Sequence, residues 1–66
     1  MHMLLIARSR AGMPLSELAE KAGVAANTIS EAERGVRVPQ ARTLHKLARA
    51  LGVDPAALIS EEKIAV

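Results

Sequence analysis

The stretch that decides the fold is residues 15–34, LSELAEKAGVAANTISEAER. In its first half, apolar residues recur with the spacing of one helix face, at Leu15, Leu18, Ala19 and Ala22. In its second half the same spacing continues at Thr28, Ile29 and Ala32, while the other side carries Asn27, Ser30 and Glu31. The pattern predicts two short helices, the second with one polar face.

The junction between these two helices is as informative as the helices. Gly23 lies where the first helix must stop, because glycine takes the left-handed C-cap conformation without a Cβ clash. Ala19 is small where the second helix would cross closely, and Ile29 is bulky enough to fill the gap. A small residue, a glycine and a branched apolar residue at these positions predict a helix-turn-helix of the kind that binds DNA.

The flanking segments predict three further helices and no strand. The first helix spans about 3–11 and ends at Gly12. The fourth spans about 40–50, and the fifth, after Asp54 as N-cap, spans about 56–60. The expected fold is therefore all-α: a compact five-helix domain in which helices 2 and 3 form the helix-turn-helix. We expect one domain over residues 1–66, with its core at about 4–59 and a C-terminal tail at 60–66.

Composition excludes several classes of function. The chain of 66 residues has no cysteine, so it has neither a disulfide framework nor a thiolate metal site. It has no aromatic residue on which single-stranded nucleic acid could stack, and no apolar run of membrane-spanning length. The two histidines, His2 and His45, have no suitably spaced acids or thiols beside them. We predict a cytoplasmic protein that is not an enzyme and needs no metal or cofactor.

The distribution of charge is more informative than the net charge of +2. Residues 34–53 contain no acid and five basic side chains, namely Arg34, Arg37, Arg42, Lys46 and Arg49. A face of one sign indicates a surface that meets a polyanion on one side. The alternative is an ordinary solvated helix face.

The helix order, together with the motifs LSELAEKAGV, TIS, ERG and LHKLARALGV, resembles the lambda repressor/Cro-like (xre) family of DNA-binding domains. Arg8, Gly12 and Pro39 also match, and the resemblance covers about residues 4–59. It implies a prokaryotic or phage-type domain that binds palindromic operators as a dimer, with the second helix of the motif in the major groove. It also implies a partly buried salt bridge between Arg8 and Glu33.

The chain departs from the family pattern at the start of both motif helices. Family members place Ser or Thr and then a phosphate-binding Gln where this chain has Pro14 and Leu15. Ser16 is the nearby residue that can cover part of either role. The cap of the second helix is Ala25, at a typical cost of about 1 kcal/mol. Ala26 replaces a long polar base-reading residue.

The remaining polar residues of the second motif helix can still contact bases. Asn27 can bond adenine N6 and N7, Thr28 can touch a phosphate or a thymine methyl group, and Glu31 can accept from cytosine N4. The predicted base-reading residues are Ala26, Asn27, Thr28, Ser30 and Glu31. The predicted phosphate contacts are Ser16, Arg34, Arg37 and Arg42. The alternative is that these side chains are only solvated surface.

A homodimer is expected because one domain of this size reads only about four to six base pairs. Two-fold pairing places two recognition helices about 34 Å apart, one turn of DNA. From the resemblance, the C-terminal end ranks first as the dimer surface, with Leu58, Ile59, Ile64 and Val66. Leu5 and Ile6 on the first helix rank second. The alternative for Leu58 and Ile59 is that they close the core.

Three functions remain open at this stage. The first is a sequence-specific double-stranded DNA-binding transcriptional regulator that acts as a repressor. The second is a protein-interaction module on the same fold, such as an antitoxin or an inhibitor of another regulator, which the missing phosphate-binding Gln and the apolar first helix favour. The third, a nonspecific nucleoid-type binder, fits the basic isoelectric point but not the small number of basic residues.

Overall fold

Five α-helices form the part of the chain that the computed structural model describes, which is the backbone of residues 1–64 and the side chains of residues 1–59. They are α1 His2–Arg10, α2 Leu15–Ala22, α3 Ala26–Glu33, α4 Ala41–Leu51 and α5 Pro55–Ile64. These residues include no β-strand. The prediction of an all-helical, five-helix fold is confirmed.

Local signals determine several of the helix ends. Asp54 Oδ1 accepts a hydrogen bond from the amide of Ala56 at 2.9 Å, as its predicted role of N-cap requires, and α5 begins at Pro55. The sequence places the end of this helix near Ser60 and leaves residues 61–66 either to fray or to extend it; α5 extends to Ile64. The sequence has no glycine or proline after Ser60 to end the helix.

The turn between α2 and α3 has the predicted left-handed glycine. Gly23 has φ 69° and ψ 36°, and its amide donates to the carbonyl oxygen of Ala19 at 3.0 Å. The amide of Val24 donates to the same oxygen at 3.0 Å. The chain therefore reverses within three residues, and α3 begins at Ala26.

The five helices surround one core, to which each of them contributes. In the described residues, α2 packs on α3 and α4, α1 packs on α3 and α5, and α4 packs on α5. The buried apolar side chains are Met1, Leu4, Met13, Leu18, Ile29, Ala32, Leu47, Ala48 and Leu58. The nitrogen of Met1 also donates to the carbonyl oxygen of Ala32 at 2.6 Å, so the start of α1 contacts the last turn of α3.

The packing of α5 corrects one predicted dimer residue. Leu58 is only 2% exposed, because α5 turns this side chain into the core between α1 and α4. It is therefore a core residue and is not free to form an interface. Ile59 is half-buried against the same core. The side chain of Ile64, and Val66 as a whole, lie outside the described residues.

Candidate nucleic-acid interface

The two sides of α3 differ as the sequence pattern predicts. Ile29 and Ala32 are fully buried against the domain. On the other side, Ala26 and Asn27 at the first turn are exposed. Half-buried side chains continue this surface at Thr28, Ser30 and Glu31. Asn27, Ser30 and Glu31 thus lie on the side of α3 that faces away from the core, and Ala26 and Thr28 flank that side.

The N-termini of α2, α3 and α4 have no side-chain caps. Their N-cap residues, Pro14, Ala25 and Gln40, all have extended backbone and make no capping hydrogen bond. The first amides of each helix therefore keep the partial positive charge of a helix N-terminus. Ser16 does not replace the missing cap of α2; its side chain is exposed and makes no described hydrogen bond.

A salt bridge fixes the end of α3 to α1. Arg8 Nε donates to Glu33 Oε2 at 2.6 Å, and Arg8 Nη2 donates to Glu33 Oε1 at 3.2 Å. The third donor, Nη1, bonds the carbonyl oxygen of Met13 at 3.1 Å. The side chains are 18% and 9% exposed, so the contact implied by the family resemblance is present and partly buried. It orients α3 relative to α1 and the loop before α2.

The basic residues that follow α3 are exposed. Arg34 Nε donates to the carbonyl oxygen of Ser30 at 3.4 Å, and Arg42 is exposed at the start of α4. Arg37 Nε lies 3.9 Å from Glu31 Oε1, with the Arg37 side chain 73% exposed. A pair this long and this exposed is worth about 0–1 kcal/mol, so Arg37 remains available to a phosphate.

The contact between Arg37 and Glu31 was not foreseen from the sequence. The amides of Val36 and Arg37 both donate to the carbonyl oxygen of Glu31, which curls the loop back over the end of α3. The positive charge of Arg37 then partly offsets the carboxylate of Glu31 on the surface predicted to face DNA. The only signal in the sequence was Gly35, which has φ 76° and makes this reversal possible.

The same loop carries exposed apolar surface. Val36 and Val38 are 64% and 71% exposed on either side of Arg37. The basic residues of the loop are evident from the sequence, but these two apolar side chains are not, because both lie outside a helix and no periodicity marks them. They place apolar contact area next to a phosphate-binding candidate.

An apolar cleft of about 310 Å³ lies between α1, the end of α4 and α5. Its walls include Met3, Ile6 and Arg10 from α1, Leu51 at the end of α4, Val53 from the loop that follows, and Ala57 and Leu58 from α5. Of the predicted dimer residues, Ile6 and the buried Leu58 line this cleft, whereas Ile59 does not. Leu5 is half-buried and does not line it.

Comparison with known proteins gives the family. The model of a helix-turn-helix family matches residues 4–58, which contain both helices of the motif and the core around them. The chain belongs to this helix-turn-helix family. The resemblance to lambda repressor/Cro-like (xre) domains is thereby confirmed, and the family is one of DNA-binding regulators.

A solved structure supports the same assignment. The SinR chain in a structure titled as a complex of the SinR and SinI proteins is 35% identical and superimposes with a TM-score of 0.87. The alignment covers 98% of this helix-turn-helix chain and 64% of the SinR chain, so this chain spans less than two thirds of that protein. No curated protein matches the chain significantly.

The described residues offer neither a metal site nor a membrane-spanning helix. They contain no group of three or more His, Cys, Asp or Glu side chains placed to hold a metal ion. Within the same part of the chain, no helix has both the length and the apolar composition needed to cross a membrane. Regulators of the helix-turn-helix family are typically not enzymes, which agrees with the expectation from composition.

Proposed function

We propose that the chain is a sequence-specific double-stranded DNA-binding transcriptional repressor that binds a palindromic operator as a homodimer. The observation that carries the proposal is the polar surface of α3, where exposed Asn27 lies in the first turn. The exposed side chains of Arg34 and Arg37 follow the same helix. Polar side chains on such a helix can hydrogen-bond base edges in the major groove, while the cations that follow the helix bind the phosphates along its rim.

In this proposal the first turn of α3 reads bases. The amide of Asn27 bonds adenine N6 and N7, and Ala26 packs on a thymine methyl group. Thr28 and Ser30 contact bases or the adjacent phosphates. Glu31 accepts from cytosine N4, and its contact with Arg37 lowers the cost of bringing a carboxylate near the backbone.

Phosphates are held on both sides of α3. Arg34, Arg37 and Arg42 supply the cations, and Ser16 supplies a hydroxyl on α2. The backbone amides at the start of α2 and α4 have no capping side chain, so they can donate further hydrogen bonds to phosphate oxygens. Because these contacts are made to the backbone, they set position and affinity and carry no sequence information.

A homodimer contacts a DNA site that is long enough for specific recognition. The apolar cleft between α1 and α5 is the surface we propose for the second copy, with Ile6 in its wall and the half-buried Leu5 and Ile59 on the same two helices. Two recognition helices then lie about 34 Å apart on one face of the duplex. A dimer bound across a promoter in a prokaryotic cytoplasm excludes the polymerase, which is repression.

The test is selection of duplexes from a random pool, followed by sedimentation of the protein on the selected site. We expect an inverted repeat and two protomers per full site. One protomer per site would overturn the dimer, and failure to enrich any sequence would overturn specific recognition.

A second candidate is a protein-interaction module on the same fold. The exposed Val36 and Val38 favour it, as does the absence of a phosphate-binding Gln beside Pro14. The related SinR chain is itself described in complex with SinI. If Asn27→Ala and Arg37→Ala both leave duplex binding untouched, this candidate replaces DNA binding.

A further inference from the structure

A second concave surface lies between the end of α2 and the length of α4, and no residue of α3 lines it. It is a cleft of about 570 Å³ whose charged walls are Lys21 from α2 and Arg42, Lys46 and Arg49 from α4. His45 completes the wall, and Ala22 and Ala50 form an apolar floor. We call this surface the basic cleft.

The basic cleft concentrates charge that the rest of the chain does not neutralise. Its four cationic side chains carry four positive charges, whereas the whole chain has a net charge of +2. No Asp or Glu is among the described residues that line it. None of the four cations forms a salt bridge with a carboxylate in the part of the chain whose side chains are described.

This arrangement is unfavourable when the cleft is empty. Arg42 and Lys46 are four residues apart on α4, and like charges at this spacing destabilise a helix. An anion between them would convert that repulsion into charge-assisted hydrogen bonds. The volume of the cleft lies in the range of small-ligand sites.

We propose that the basic cleft binds linked phosphate groups, and that these belong to a small polyphosphate-bearing molecule. Arginine and lysine side chains can together bind several oxygens of a polyphosphate. Ala22 and Ala50 leave room for the phosphates and bring no side-chain acceptor that would repel them. Lys21 lies on a different helix from the other three cations, so an occupant bridges α2 to α4. A DNA backbone is the other source of the same chemistry, and the test separates the two.

The test is a calorimetric titration of inorganic tripolyphosphate into the full chain at constant ionic strength, with orthophosphate as the single-phosphate comparison. We expect one site per protomer and weaker binding of orthophosphate. Lys46→Ala and Arg49→Ala should each weaken tripolyphosphate binding by about tenfold or more. Arg10→Ala removes an exposed cation outside the cleft and serves as the matched control.

Duplex binding by the same variants identifies the source of the phosphates. We expect Lys46→Ala and Arg49→Ala to weaken tripolyphosphate binding more than duplex binding, and Arg37→Ala to show the reverse. Absence of tripolyphosphate binding, or an equal loss in Arg10→Ala, would overturn the proposal. Loss of duplex binding alone in the cleft variants would assign the cleft to DNA phosphates and would also overturn it.

Competition between polyphosphate and DNA is a further expectation, and it rests on the proposed DNA function as well. Arg42 lines the basic cleft and is also a predicted phosphate contact, so a bound polyphosphate should compete with the duplex for it. The calorimetric titration contains no DNA, and its result therefore stands whether or not the chain proves to be a repressor.

Discussion

Arg8 in α1 and Glu33, the last residue of α3, form a two-point contact through Nε–Oε2 at 2.6 Å and Nη2–Oε1 at 3.2 Å. Two parallel bonds between a guanidinium and a carboxylate fix orientation as well as distance. Since Arg8 also bonds the carbonyl oxygen of Met13, one side chain connects the end of α3 to the loop that precedes α2. Arg8 of α1 therefore helps to position both helices of the motif, α2 and α3.

Removing one partner of this salt bridge should destabilise the domain strongly. Arg8→Ala leaves the partly buried carboxylate of Glu33 unpaired, at a cost of about 3–5 kcal/mol. That loss is comparable to the whole stability of so small a domain, so Glu33→Gln provides a milder second variant. Urea unfolding followed by far-ultraviolet circular dichroism measures both, because the chain has no aromatic residue to report by fluorescence.

The control is Arg10→Ala, an exposed cation two residues away. Its effect should stay within about 0.5 kcal/mol, as for most surface changes. If Arg8→Ala and Glu33→Gln cost no more than the control, the salt bridge does not stabilise the fold.

Restoring the missing cap of α3 should stabilise the protein. Ala25 already has the extended backbone of an N-cap, with φ −61° and ψ 139°. Ala25→Ser adds an acceptor for the free amides of the first turn and should raise the free energy of unfolding by about 0.5–2 kcal/mol. Thermal unfolding measures the gain.

A comparison of Ala25→Ser with Ala25→Asp distinguishes an effect on stability from an effect on DNA binding. Aspartate caps a helix as well as serine does, but it brings a negative charge close to the duplex. We expect both variants to be more stable than the parent chain, and only Ala25→Asp to bind DNA more weakly. Equal duplex binding by the two variants would mean that the start of α3 does not approach phosphates.

Arg37→Ala should weaken binding to every duplex by a similar factor. Loss of one phosphate contact reduces the slope of log K against log salt by about 0.9. Fluorescence anisotropy with a labelled duplex at several salt concentrations gives the slope. A slope equal to that of the parent chain would remove Arg37 from the interface.

Asn27→Ala should act on sequence preference. If its amide bonds adenine, the variant should lose about 1–3 kcal/mol on the preferred site and accept other bases at one position. Competition with duplexes that vary at each position detects this. A loss that is uniform across sequences would assign Asn27 to the backbone instead.

The elements that could be predicted from the sequence are those with a local cause. Gly23 and Asp54 act on their own neighbours through a positive φ and a side-chain cap, so a single sequence is enough to place them. The buried positions of α4 follow from their spacing, and Leu47 and Ala48 are indeed buried. His45, which does not share that spacing, is exposed.

The features that could not be predicted arise from tertiary contacts. Met1 and Met13 lie outside the helices and join the core only because α1 and α3 bring them there, so no periodicity marks them. The contact of Arg37 with Glu31 depends on how the loop after Gly35 folds back. The basic cleft likewise needs Lys21 from α2 beside α4, a relation that charge counting along the chain cannot reveal.

The burial of Leu58 has a consequence for how relatives of this protein can diverge. The described part of α5 attaches to the core mainly through this one fully buried leucine, whereas Ala56 and Ala57 are exposed and Ile59 is half-buried. Substitutions at the exposed positions therefore carry little cost for folding. In the proposed homodimer, duplicated copies of such a domain would acquire different pairing preferences through α5 while keeping the same interior, so that each would pair only with its own kind within one cell.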